Sequence, residues 1–286
     1  MKKVKKLVPI YGGKGIILNE LLKFVPYLDV YVEPFFGGGS LFFARRPSKV
    51  EIINDINDLL VSLYRVVRDP KKCAYLMYMV DLTPAARSEV KLARYMAKRL
   101  AGSVSKNTMV ELMKAWSVLV LYNMSFSGTS GGFNSSKWAS IMGAIVSAHK
   151  RLQNAIIENM DGIELCRKVD DSNVVIYMDP PYLIDAISSQ SGRDPSKVFH
   201  DANRAYAGYT MSYEDHVRLL EFAVSAKSAI VISGYGSELY DSYLNERNGW
   251  IRHVVRTVST VRNDARPPRE EVIWINRRAA MSSTLL

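Results

Sequence analysis

An α/β domain interrupted by a helical insert is the fold class that the sequence predicts, and three observations predict it. Short β-branched runs alternate with helical segments over the first 60 residues, and the same alternation returns after about residue 145. Between them, from Asp69 to Met124, glycine and proline become sparse. The expected organisation is an α/β domain made of 1–60 and 145–286, holding a mostly helical insert at 61–144.

Taken in order, Val30 to Phe35 reads as a buried strand, Gly37 to Gly39 as a tight turn, Leu41 to Arg45 as the start of a helix, and Val50 to Asn54 as a second strand. Pro70, Pro84 and Gly102 are the sparse breakers from Asp69 to Met124, which should be almost all helix. Thr83-Pro84 has the form of an N-cap followed by proline at the first helical position. A Gly/Ser-rich loop, Ser125 to Ser136, leads back to strands: VVIYM before Asp179, AIVIS before Gly234, then Val254 to Val261 and Glu271 to Ile275. The last two flank the Arg- and Pro-rich Arg262 to Arg269 and read as a hairpin with a long loop.

Thirty-eight Lys and Arg against 28 Asp and Glu give a net charge of +10, which favours a polyanion, nucleic acid foremost, as partner. Cys73 and Cys166 stand alone, so neither a disulfide framework nor a cysteine zinc site is expected. His149, His200, His216 and His253 lack ligand spacing, and no metal is expected. Without an apolar run of membrane-spanning length, the expected setting is the cytoplasm.

The sharpest chemical signal is Asp179-Pro180-Pro181-Tyr182 directly after VVIYM. An exocyclic amine on a heteroaromatic ring is a weak nucleophile, because its lone pair is delocalised into the ring. A carboxylate such as Asp179 and a carbonyl such as that of Pro180 can accept hydrogen bonds from the two amine protons and favour a pyramidal nitrogen. Proline suits this task, since its φ is fixed and it brings no competing N–H. Pro181 extends the rigid turn, and Tyr182 can stack on the base.

The second signal is Tyr31-Val32-Glu33-Pro34-Phe35-Phe36-Gly37-Gly38-Gly39-Ser40, with Asp55 eighteen residues beyond Gly37. Glycines such as Gly37 and Gly39 at a strand-to-helix turn let backbone approach a ligand, and an acid ending the next strand is placed to grip a ribose diol. A nucleoside cofactor is implied, with Glu33, Pro34 and Phe35 at the strand exit as candidate contacts. The dinucleotide pattern is incomplete, because Phe42 occupies its third glycine position. Tyr11-Gly12-Gly13-Lys14 offers an aromatic face, flexible backbone and one cation.

In this order, Tyr11 to Lys14, Glu33 to Gly39, Asp55 and Asp179 to Tyr182, the chain resembles the Dam-type (D12 class, α-group) DNA adenine-N6 methyltransferases of phages and restriction-modification systems. The resemblance implies a Rossmann-like S-adenosylmethionine-dependent methyltransferase fold, methyl transfer to adenine N6 in double-stranded DNA, S-adenosylhomocysteine as product, and a target-recognition domain in the insert. It also implies that Asp55 holds the cofactor ribose, that Asp161 in Asn159-Met-Asp161-Gly162 contacts its adenine, and that Asp179 touches cofactor and target amine. Lys14 and Tyr11, or Ile10 beside it, would line the site where family members carry Trp-Ala or Trp-Val. Any cognate restriction endonuclease is expected as a separate partner.

The same fold acting on cytosine N4, where Ser usually replaces Asp179, and a catalytically inactive DNA-binding relative are the alternative functions. Ser125 to Phe133 resembles the family's loop at the end of the insert, without the arginines of GATC readers. Asp185 to Ala205 reads either as a flap over the target base or as a surface loop. Arg87, Lys91, Arg94 and Lys98 fall on one helical face, opposite Val90, Ala93, Ala97 and Leu100. That stripe is either a solvated face or, with Lys137, Arg262, Arg266 and Arg269, a set of phosphate contacts that positions DNA without reading its sequence.

Overall fold

The computed structural model describes residues 6–9, 14, 17–103, 107–125, 132–205, 208–257 and 269–283. Tyr11, Ile10, Arg262 and Arg266, and most of the Ser125 to Phe133 segment, lie outside them. Seven strands are β1 (Val30–Glu33), β2 (Val50–Asn54), β3 (Ala155–Glu158), β4 (Val174–Met178), β5 (Ala229–Tyr235), β6 (Trp250–Thr257) and β7 (Arg269–Asn276). They form one sheet in the order β3-β2-β1-β4-β5-β7-β6. β1, β4 and β5 are parallel, and β7 runs antiparallel between β5 and β6. Every residue of β4 is buried, as a central parallel strand covered on both faces requires, which is why VVIYM is unbroken by polar residues. β1 stops at Glu33, one residue before Pro34, whose missing N–H cannot extend a ladder. Strand order reverses direction at β1 and β4, and the carboxyl ends of such strands open the crevice in which doubly wound sheets bind ligands.

The chain forms two compact units, one comprising Met1–Gly13, Phe36–Arg46 and Ile53–Met160, the other Lys14–Phe35, Pro47–Ile52 and Asp161–Leu286. The first holds α2 (Asp58–Arg68), α3 (Pro70–Asp81), α4 (Arg87–Leu100), α5 (Thr108–Met124) and α6 (Ile141–Leu152). Asn57, Asp69 and Asn107 cap α2, α3 and α5 by accepting backbone N–H bonds, and Pro70 opens α3. α5 is the core helix, burying Leu112, Ala115, Trp116, Val118, Leu119 and Val120. The buried Lys114 ammonium lies 2.6 Å from Asp58 and 2.7 Å from the Ser103 carbonyl, fixing the start of α2 to α5.

Two expectations fail in this unit. Thr83-Pro84 does not start α4, which begins at Arg87 after Ala86. The Thr83 hydroxyl donates to the Met79 carbonyl at 2.6 Å and accepts the Trp116 indole N–H at 2.8 Å, so it is tied to the end of α3 and to α5. Nor do Leu41 to Arg45 begin a regular helix: single bonds from Phe43 to Gly39 and from Arg45 to Leu41 close isolated turns. Pro47 drives Arg46 out of helical backbone and leaves no room for a second turn. The rings of Phe36, Phe42, Phe43 and Tyr64 pack together beneath this segment.

The second unit holds α1 (Leu18–Phe24) and, after β3 in the chain, α7 (Gly162–Val169), α8 (Ile184–Ser191), α9 (Pro195–Ala205), α10 (Tyr213–Ser225), α11 (Glu238–Tyr243) and α12 (Arg277–Ser283). Asp185 to Ala205 is therefore no loop, because α8 and α9 occupy it. Cys166 is buried inside α7. His216 on α10 is buried against the Tyr240 hydroxyl, 2.9 Å away, and burial lowers its imidazole to about 4. None of the described helices is long and apolar enough to cross a membrane.

Gly39 and Gly143 give opposite outcomes when replaced by alanine. Gly39 has a φ of +61°, and a Cβ there would stand 2.3 Å from the Phe36 ring, so Gly39→Ala should destabilise by at least about 2 kcal/mol. Gly143, in α6 with nothing within 4 Å of a built Cβ, should gain up to about 1 kcal/mol. Chemical denaturation of the two variants checks the pair.

Candidate active site

β4 ends at Met178, so Asp179 stands where the chain leaves the sheet at its switch point. Its Oδ1 lies 2.9 Å from the Lys14 ammonium and accepts the Ser233 hydroxyl at 3.4 Å. Among the described residues both of these contacts fall on Oδ1, which leaves Oδ2 as an acceptor for a ligand. Lys14, 3% exposed, also meets Glu271 Oε2 at 3.1 Å and donates to the Tyr182 hydroxyl. The Tyr182 ring is 4.5 Å from that of Tyr235, and the Tyr177 and Ser233 hydroxyls are 2.8 Å apart.

The electrostatics follow from burial and from an unequal count of charges. Burial pushes the Asp179 carboxyl up to about 6, with Glu271 adding to the rise and Lys14 and Ser233 only partly offsetting it. Burial pulls Lys14 down, yet the two carboxylates outweigh it and raise the ammonium above its usual value. The asymmetry is physical: Lys14 has two anionic partners, whereas Asp179 has one cation and a like charge nearby. Tyr177 is raised by burial and then by Asp179, so its phenol stays protonated.

The glycine turn belongs to the other unit and is built around Asp55. Gly37 N–H donates to Asp55 Oδ2 at 2.7 Å, Asn57 N–H to Oδ1 at 2.9 Å, and the Tyr64 hydroxyl to the Gly37 carbonyl at 2.6 Å. Burial raises the Asp55 carboxyl despite the lowering effect of the Asn57 and Gly37 N–H bonds. Tyr122 on α5 is pushed up to about 12, first by burial and then by the Asp55 charge. Asn54 exchanges two 3.0 Å bonds with the Met160 backbone, tying the end of β2 to the exit of β3.

The remaining site residues fall in several places. Glu33 is buried at the end of β1 and accepts a bond from the Tyr31 hydroxyl. Pro34 and Phe35 abut the start of α7: a Cβ on Gly162 would stand 2.9 Å from the Phe35 ring and 3.0 Å from the Pro34 carbonyl oxygen. Asp161 caps α7 by accepting from Ile163 and Glu164, both at 2.9 Å. Arg87, Lys91, Arg94 and Lys98 are exposed on α4 and Val90, Ala93 and Ala97 are buried, as their spacing predicts. Lys137 is exposed, and Arg269 opens β7.

Ser233, Tyr235 and Glu271 are the residues that the sequence did not single out. Ser233 and Tyr235 carried a faint signal as polar residues ending an apolar strand. Glu271 carried none, because its place depends on β7 pairing antiparallel with β5, which sets it opposite Tyr235.

A carboxylate braced by two backbone N–H groups beside a glycine turn can accept hydrogen bonds from a pair of hydroxyls, and an aspartate with one oxygen anchored can accept one from an amine N–H.

Similarity to known proteins points the same way. The family model of the D12 class N6 adenine-specific DNA methyltransferases matches residues 11–242. A type II methyltransferase, M1.LlaDCHI of Lactococcus lactis subsp. cremoris, is 28% identical over 227 residues, covering 73% of this chain and 72% of the relative. Type II methyltransferase M.CviBI of Paramecium bursaria Chlorella virus NC1A is 22% identical over 253 residues, covering 85% and 88%. DNA adenine methylase of Escherichia coli (strain K12) is 38% identical over 68 residues, 24% of each chain. The matched span takes in the glycine turn and, of the charged cluster, Lys14, Asp179, Tyr182 and Ser233: this chain belongs to the D12 class of N6 adenine-specific DNA methyltransferases.

Proposed function

We propose that this adenine-specific DNA methyltransferase acts on an adenine rotated out of the duplex, with the Asp179 carboxylate and the Pro180 carbonyl accepting hydrogen bonds from its two amine N–H groups. The observation that carries this reading is Asp179 itself, at the end of β4, with Oδ1 anchored and Oδ2 left as an acceptor. S-adenosylmethionine, when bound, supplies an electrophilic methyl group on a sulfonium. Gly37, Gly39 and Asp55, with Glu33, Pro34, Phe35, Asp161, Lys14 and Tyr11, are the residues we assign to holding it. Pro181 keeps the turn rigid, and Tyr182 stacks on the extruded base.

We assign residues 61–144 to target recognition and 1–60 with 145–286 to catalysis. Arg87, Lys91, Arg94 and Lys98, with Lys137, Arg262, Arg266 and Arg269, follow the DNA phosphates. Family membership and Asp at position 179 support adenine over cytosine. The type II names of two relatives support a separate cognate restriction endonuclease, and the DNA substrate supports a place in the cytoplasm on the nucleoid.

Asp179→Ala should lower kcat by about 100-fold or more, a loss of roughly 3 kcal/mol of transition-state stabilisation, in a protein that remains folded. Incorporation of labelled methyl into DNA measures it, and near-parent turnover would overturn the assignment. In the parent protein kcat/KM should rise with pH through about 6 as Asp179 ionises. The same raised carboxyl contributes stability that is complete below the ordinary carboxyl value and is lost as pH rises through about 6.

Tyr182→Ala should impair turnover more than Tyr182→Phe, since the second keeps the stacking ring. Equal losses would exclude stacking. Replacing Lys91 and Lys98 together by alanine should weaken cognate and unrelated duplexes alike and reduce the slope of log affinity against log salt by about two. An unchanged slope would mark the stripe as a solvated face.

A further inference from the structure

We infer that Glu271 is a positioning residue for Asp179: by taking a second share of the Lys14 ammonium, it prevents Asp179 and Lys14 from closing into a neutral pair. This rests on the reading of Asp179 as an acceptor of a hydrogen bond from the target amine. The ammonium lies 2.9 Å from Asp179 Oδ1 and 3.1 Å from Glu271 Oε2, so it is divided almost equally between two carboxylates. The side chains are 2% exposed for Lys14, 14% for Glu271 and 25% for Asp179, so the shared ammonium itself is withdrawn from water while Asp179 keeps an open side.

Glu271 is held where it can do this. Its backbone pairs with Tyr235 in the β5/β7 ladder, and the preceding residue is clamped from α8, where Gln190 donates to the Glu270 carbonyl at 3.0 Å and accepts its N–H at 3.2 Å. Tyr235 in turn packs against the Tyr182 ring. Among the described residues the hydroxyls of Ser233 and Tyr182 touch this cluster, Asp179 in turn acts on the phenols of Tyr177 on β4 and Tyr240 on α11, and Glu33 at the end of β1 acts on Tyr177.

A lone buried Lys–Asp pair would be electrically closed, and its carboxylate a poor acceptor for a further proton. With Glu271 ionised the three groups carry a surplus negative charge. That surplus suits a carboxylate that must draw on an amine whose nitrogen gains positive charge as the methyl arrives.

The test is a titration of the Asp179 carboxyl by carbon NMR in the full-length protein without DNA or cofactor, so it does not depend on turnover. Glu271→Gln should lower the midpoint by about one unit, through loss of a like charge and a larger share of Lys14. Glu271→Asp should restore it, and Glu271→Thr, neutral and compatible with a strand, repeats the test if the Gln variant does not fold. In the assay, Glu271→Gln should lower kcat about tenfold, the worth of one unit of lost basicity, with the DNA KM and cofactor affinity unchanged. An unmoved Asp179 midpoint overturns the inference, as does a Glu271→Asp variant as impaired as the Gln one. A parent protein that fails to methylate adenine overturns the proposed function instead, and the titration still decides whether Glu271 divides the ammonium.

Discussion

An ammonium group withdrawn from water has to be compensated, and much of the catalytic end of this enzyme is arranged around that requirement at Lys14. The group is 3% exposed, and desolvation alone would pull its pKa down. It stays charged because carboxylates reach it from two strands, Asp179 after β4 and Glu271 on β7. Each is supplied by a different part of the sheet, so the parallel β4/β5 pairing and the antiparallel insertion of β7 must both be in place before the charges meet. The consequence for Asp179 is an unusually basic carboxyl, which a reaction at an amine can use.

The glycine turn solves a different problem with backbone instead of charge. Asp55 is buried enough for its carboxyl to be raised, yet Gly37 and Asn57 turn N–H groups onto its two oxygens and fix its orientation. The turn can make that approach because Gly37 and Gly39 adopt positive φ, and because nothing larger than hydrogen fits between Gly39 and the Phe36 ring. The aromatic cluster of Phe36, Phe42, Phe43 and Tyr64 beneath it gives a turn without regular secondary structure a rigid base.

The helices of the first unit show how charge and apolar surface are sorted around a core. α5 is buried along most of its length, while α4 contributes only a narrow apolar stripe and keeps its cations in water. Lys114, buried and paired with Asp58, is one of the few charges this core admits. Such a pair fixes which helix ends meet more than it adds stability.

The sequence by itself determined the strands and the chemistry carried by short motifs. The apolar runs of β1, β2, β4 and β5, the Asp179 tetrapeptide, the Gly37 to Asp55 spacing and the amphipathic face of α4 were legible because each is a local pattern. Local patterns also misled where a distant residue overruled them: Trp116 claims the Thr83 hydroxyl, and the polarity of Asp185 to Ala205 concealed two short helices. Only the tertiary structure decided that Lys14, Asp179, Ser233 and Glu271 form one charged cluster. Lys14 and Glu271 are 257 residues apart, and their meeting depends on β7 running antiparallel between β5 and β6. A strand's own residues state that it will pair, but its neighbour and direction are settled by how the whole sheet buries its surface.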